Sequence, residues 1–149
     1  MYRNHTVVAQ GITFFTQREG RQVINFPKLH YDNGVAKNSP LRTNGRYKPT
    51  IRIFKNARTY LADHGKVAKT VAPSYFLEGF MYNAPDNLFA QSYGYTFCSV
   101  FNWLNNANLA TLICQNGQLP LFGTTPEQWT EQQARALLQE LKNLWNNWY

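Results

Sequence analysis

From residue 48 onward the apolar positions of this chain recur every three or four residues, whereas before residue 27 they bunch into short β-prone runs. Between residues 48 and 63, Ile53, Phe54, Ala57, Tyr60 and Leu61 form one stripe at 100° per residue. Lys48, Arg52, Lys55, Arg58 and Thr59 lie opposite. That spacing predicts an amphipathic helix with Pro49 in its first turn and Gly65 just past its end. A second helix, over residues 74–83, is apolar nearly all round and is expected to be buried. Its polar members Ser74, Glu78 and Tyr82 share one edge, with Tyr75 beside them, and Pro85 stops it. An aromatic-rich helix is predicted over 92–105 (Tyr93, Phe97, Phe101, Leu104), followed by mixed helix and loop over 107–122. Thr125-Pro126-Glu127-Gln128 matches a capping box with proline at the first helical position. It predicts the start of a last helix whose stripe Ala134, Leu137, Leu138, Leu141, Leu144, Trp145 and Trp148 is read as core.

The N-terminal quarter has the other period. Gly11-Ile12-Thr13-Phe14-Phe15 and Gln22-Val23-Ile24-Asn25-Phe26, joined by polar residues 17–21, predict a β-hairpin over 7–26 that Pro27 closes. Two strands alone are marginal in water, so this hairpin needs a sheet to join. Residues 28–47 carry the turn signals Asn33-Gly34, Asn38-Ser39-Pro40 and Asn44-Gly45 and are read as a polar connection, not an element. The expected class is α+β. Residues 1–47 form hairpin and linker, and residues 48–149 form a mainly helical lobe of four to five helices.

Composition adds a folded core and an uneven charge. A hydrophobic fraction of 44% with 15% aromatics excludes a disordered chain. Of the +7 net charge, residues 1–70 hold thirteen Lys and Arg against three acids, and residues 71–149 hold two against five. A basic half implies a polyanionic partner, either nucleotide phosphates or a nucleic-acid backbone. No apolar run approaches the roughly 20 residues that span a bilayer, and residues 1–5 lack an apolar signal segment, so no membrane partner is expected. Cys98 and Cys114 have no paired spacing and are read as reduced thiols of a cytoplasmic protein. His5, His30 and His64 are scattered and suggest no metal site.

Two segments carry the candidate chemistry. Lys55 is a flexible point charge suited to phosphate. Nineteen residues later Pro73-Ser74-Tyr75-Phe76-Leu77-Glu78 places a hydroxyl and an aromatic ring at a helix start. Free amides there favour anions, and an aromatic face accepts any base. Lys48 and Arg52 share a face with Lys55 and are further phosphate candidates. Lys28, His30 and Lys37 are candidate contacts from the linker. Glu78 is read as structural, pairing with an arginine.

The stretch Tyr47-Lys48-x-x-Ile51-Arg52-Ile53-x-Lys55-Asn56-x-Arg58, then Pro73-Ser74-Tyr75-x-Leu77-Glu78, then Tyr82-Asn83-x-Pro85, resembles the C-terminal half of a nucleotidyltransferase family. The family includes oligoadenylate synthetases and bacterial cyclic-oligonucleotide synthases. Asn25-Phe26-Pro27-Lys28-x-His30-x-x-Asn33-Gly34-x-x-Lys37-Asn38 is similar to the linker of the bacterial branch. The resemblance implies a nucleoside triphosphate partner, held between a catalytic sheet and a helical lobe, and a second-messenger role in antiviral defence. Under it Lys55 corresponds to a triphosphate-contacting lysine, Ser74 to a phosphate contact and Tyr75 to a ring that stacks on a base. The hairpin becomes a remnant of the catalytic sheet.

One part of that pattern is absent from the sequence. Two-metal phosphoryl transfer needs clustered carboxylates, and of the eight acids here no two lie within three residues of each other. The resemblance expects the third carboxylate just before residue 1, placing Met1 inside the pattern of a larger protein. No cofactor is expected on this chain alone. Magnesium would accompany the triphosphate only where a catalytic lobe is supplied, so the chain alone is expected to lack catalysis. The alternative is a non-enzymatic basic module that binds nucleic acid or docks on a partner, with self-association through the unpaired hairpin edges. A degraded product with a purely structural fold would bind neither.

Overall fold

The computed structural model describes residues 2–4, 9–15, 22–89 and 92–148. His5 and the expected hairpin turn 17–21 lie outside the described residues. The backbone of β1 (Tyr2–Asn4), β2 (Ala9–Phe15) and β3 (Gln22–Asn25) pairs antiparallel in the order β1-β2-β3, with Ile12 opposite Asn25 and Phe15 opposite Gln22. Five α-helices follow among the described residues: α1 (Pro27–Lys37), α2 (Tyr47–Asp63), α3 (Ser74–Tyr82), α4 (Tyr93–Asn106) and α5 (Glu131–Asn147). None is long and apolar enough to cross a membrane.

The core sits between α2, α3, α4 and α5. Ile51, Phe54 and Leu61 of α2, Leu77, Phe80 and Met81 of α3, Val100 and Leu104 of α4, and Leu137, Leu138 and Leu141 of α5 bury against one another. Trp129, fully buried, stacks on Phe122 at 5.3 Å and donates its indole N–H to Val71 O at 2.8 Å. Helix α2 ends as its sequence predicts. Gly65 adopts φ +70°, Lys66 N–H reaches Leu61 O and Gly65 N–H reaches Ala62 O, the double closure of a Schellman motif.

Three expectations about elements are corrected. Residues 27–37 are a helix, not a structureless linker. Pro27 occupies the first turn, where its missing N–H costs nothing, and Gly34 sits mid-helix because Gln115 packs against it. Turns begin only at Asn38, and Asn44 and Gly45 take the left-handed conformation at φ 53° and 72°. The signature Thr125-x-x-Gln128 closes a turn through Thr125 Oγ1 to Gln128 Oε1 at 2.8 Å and does not start a helix. The helix starts at Glu131, where Thr130 caps Gln133 N–H at 3.2 Å and its hydroxyl bonds Gln133 Oε1. Finally, Trp145 and Trp148 are not core. They are 41% and 64% exposed and, with Tyr60, Tyr93, Phe97 and Leu144, border an apolar groove of about 390 Å³ between α2, α4 and α5.

Candidate functional site

Lys48, Arg52 and Lys55 are spaced to repeat on one face of α2, and that face looks across a concavity of about 230 Å³ towards α1. His30, Tyr31 and Gly34 form the α1 wall, Glu78 of α3 closes one end, and Tyr47, Ile51 and Gln115 complete the lining. The three cations proposed from the sequence therefore converge. Lys48 Nζ lies 5.5 Å from the Tyr31 ring centroid, a cation–π distance.

Glu78 divides its carboxylate between two partners. Oε1 accepts from Lys55 Nζ at 2.7 Å and Oε2 from His30 Nε2 at 2.5 Å. The expected arginine partner is replaced by this lysine and histidine, because α1 is a helix and brings His30 against α3. Burial would push the Glu78 carboxyl up, but the hydrogen bonds from His30 and Lys55 outweigh it and hold the group at about 2. It stays ionised and holds Lys55 Nζ within the lining of the concavity.

Tyr75 and Ser74 lie beside the concavity and do not line it. The Tyr75 ring stacks on His30 with centroids 5.1 Å apart and planes at 16°, and its hydroxyl accepts from Asn116 Nδ2 at 2.9 Å. Burial, then the Cys114 thiol, push its phenol above the ordinary tyrosine range. Ser74 is exposed at the start of α3, one turn before Glu78, with Arg58 Nη1 3.4 Å from its hydroxyl. Pro73 gives this helix no side-chain cap. Arg58 is otherwise structural, donating to Ala72 O at 2.6 Å.

The other linker candidates separate cleanly. Lys28 pairs with Asp32 on the exposed side of α1. Lys37 is corrected from nucleotide contact to core. Only 2% exposed, it donates to Ala84 O at 2.6 Å and Asp86 Oδ1 at 2.8 Å, inside a cage of the Tyr47, Tyr82 and Phe89 rings. Asp86 also takes Arg42 Nε at 2.8 Å.

The floor was not legible beforehand. Gln115 Nε2 donates to His30 O at 2.7 Å, its Oε1 accepts from the Tyr47 hydroxyl at 2.6 Å, and its own carbonyl accepts from Asn33 Nδ2 at 2.8 Å. A glutamine 68 residues from Tyr47 in a loop gives no periodic signal.

Among the described residues no three His, Cys, Asp or Glu side chains gather to hold an ion. Glu78, which lines the site, is already paired with His30 and Lys55, and Asp86 with Lys37 and Arg42.

The profile of the cGAS/DncV-like nucleotidyltransferase C-terminal helical domain matches residues 32–146. The chain belongs to this family. Its start at residue 32 falls within α1. Over 93% of its length the chain is 54% identical to a cyclic UMP-AMP synthase of Rhodothermus marinus, and it is 45% identical to a cyclic nucleotide synthase of Staphylococcus haemolyticus. It spans less than half of each, 47% and 46%. The structure of the Rhodothermus marinus c-UMP-AMP synthase with Apcpp and Upnpp superposes with a TM-score of 0.87 over 93% of this chain and 46% of that one. That of an Elizabethkingia meningoseptica cyclic dinucleotide synthase with GTP and Apcpp gives 0.78 at 31% identity, over 92% and 50%.

Proposed function

We propose that this chain is the nucleotide-gripping helical half of a cyclic-nucleotide-synthase-type enzyme and is inactive by itself. Lys55, Arg52 and Lys48 take the phosphates of a nucleoside triphosphate, Ser74 adds a phosphate contact from the start of α3, and Tyr75 stacks on the base. The observation that carries this reading is the convergence of Lys48, Arg52 and Lys55 on one concavity, with Lys55 held in its lining by Glu78. Family membership supports it, since the relatives above are named for synthesis of cyclic nucleotides. Strands β2 and β3 belong, on this proposal, to the edge of a catalytic sheet that carries the metal-binding carboxylates.

Purified chain incubated with magnesium and each nucleoside triphosphate tests the inactivity. No pyrophosphate should be released, and release that scales with chain concentration would overturn it. The competing class, a nucleic-acid binder, is favoured by one observation, the thirteen basic residues of the first half. It requires longer polyanions to bind with a steep salt dependence and to tolerate Tyr75→Ala.

A further inference from the structure

We propose that His30 is a positioning residue that couples the base end of the site to its phosphate end. The inference rests on the nucleotide-site reading above and adds a residue and a linkage to it. Three contacts join four residues in one line. The Tyr75 ring stacks on the His30 ring at 5.1 Å, His30 Nε2 donates to Glu78 Oε2, and Glu78 Oε1 accepts from Lys55 Nζ at 2.7 Å. The ring proposed for the base and the cation proposed for phosphate are thus joined through one imidazole and one carboxylate.

The His30 ring has little else to hold it. Its Nδ1 is buried and makes no hydrogen bond among the described residues. Its main chain is fixed independently, with N–H on Phe26 O at 3.0 Å and C=O on Gln115 Nε2 at 2.7 Å. The backbone of His30 is therefore rigid while its ring orientation depends on Glu78 and on stacking. A phosphate that draws Lys55 Nζ away removes one of the two donors on the Glu78 carboxylate. The remaining His30–Glu78 bond then meets a more basic, less constrained acceptor and strengthens. A stronger bond restrains the ring that backs Tyr75. Because His30 covers one face of Tyr75, a base has at most the opposite face, and its stack is firmest when His30 cannot tilt. Phosphate engagement thus prepares the base platform, and by linkage base stacking favours phosphate engagement.

The test uses the full chain labelled with ¹⁵N-histidine and titrated with inorganic tripolyphosphate, a probe with no base. His30→Gln identifies the His30 resonances, and calorimetry follows binding. Tripolyphosphate should bind and shift the His30 ring nitrogens although it carries nothing to stack on them. The same titration of Lys55→Ala should leave them unmoved. Binding without a shift at His30 overturns the coupling and leaves the nucleotide-site reading standing. A shift that persists in Lys55→Ala also overturns it, since the effect then does not pass through Lys55. Absence of tripolyphosphate binding defeats both.

Discussion

At the scale of single residues, Glu78 makes stability depend on acid. Its carboxyl is held at about 2 against an ordinary 4.5, so the folded form binds its proton later than the unfolded form does. The contribution is complete above pH 4.5 and is lost as pH falls from there through 2. At about 1.4 kcal/mol per pH unit it amounts to roughly 3 kcal/mol. Glu78→Gln should flatten the urea stability profile between those limits and leave the slope above pH 5 unchanged. Gly34 gives a second check. A Cβ there would sit 2.6 Å from Gln115 Nε2, whose amide bonds His30 O and the Tyr47 hydroxyl. Gly34→Ala should cost about 1–3 kcal/mol by equilibrium unfolding, because displacing Gln115 leaves buried polar groups unpaired. The facing of Lys48, Arg52 and Lys55 was legible from 100° periodicity alone. The burial of Lys37 was not, since nothing local distinguishes a solvated lysine from one that finds Asp86 forty-nine residues away.

Among the elements, α2, α3 and α4 follow their apolar spacing within a residue or two, and α2 stops at its glycine. Helix α1 was hidden by Asn33-Gly34, a turn signal that here is overruled by packing against Gln115. The start of α5 was misplaced because two Thr-x-x-Gln segments lie five residues apart, and only Thr130 heads a continuous apolar stripe. The two can be separated by mutation. Thr130→Ala should lower stability by about 1 kcal/mol through loss of the cap. Thr125→Ala, in an exposed turn, should stay within about 0.5 kcal/mol in the same denaturation series. The exposed ends of the tryptophan stripe show the limit of helical periodicity. It identifies a face but not whether a neighbouring helix extends far enough to cover it.

For the whole molecule, charge and packing divide the work. The acidic second half supplies Glu78 and Asp86, which tie α3 and the turn after it to basic residues of α1, α2 and the loop between them. Lys48 and Arg52 of α2 stand outside these four pairs, which link the helices to one another. The family was legible because Lys55, Ser74-Tyr75 and the linker motif stand at their characteristic spacing. How His30, Glu78 and Gln115 join them was not, because the contacts cross from 23 to 85 residues of sequence. The most direct measurement is calorimetric titration of a non-hydrolysable nucleoside triphosphate into the chain, beside Lys55→Ala and Tyr75→Ala. Saturable one-to-one binding, lost in both variants, is the predicted result. Absence of binding to the unaltered chain, or equal binding by all three, would contradict the account.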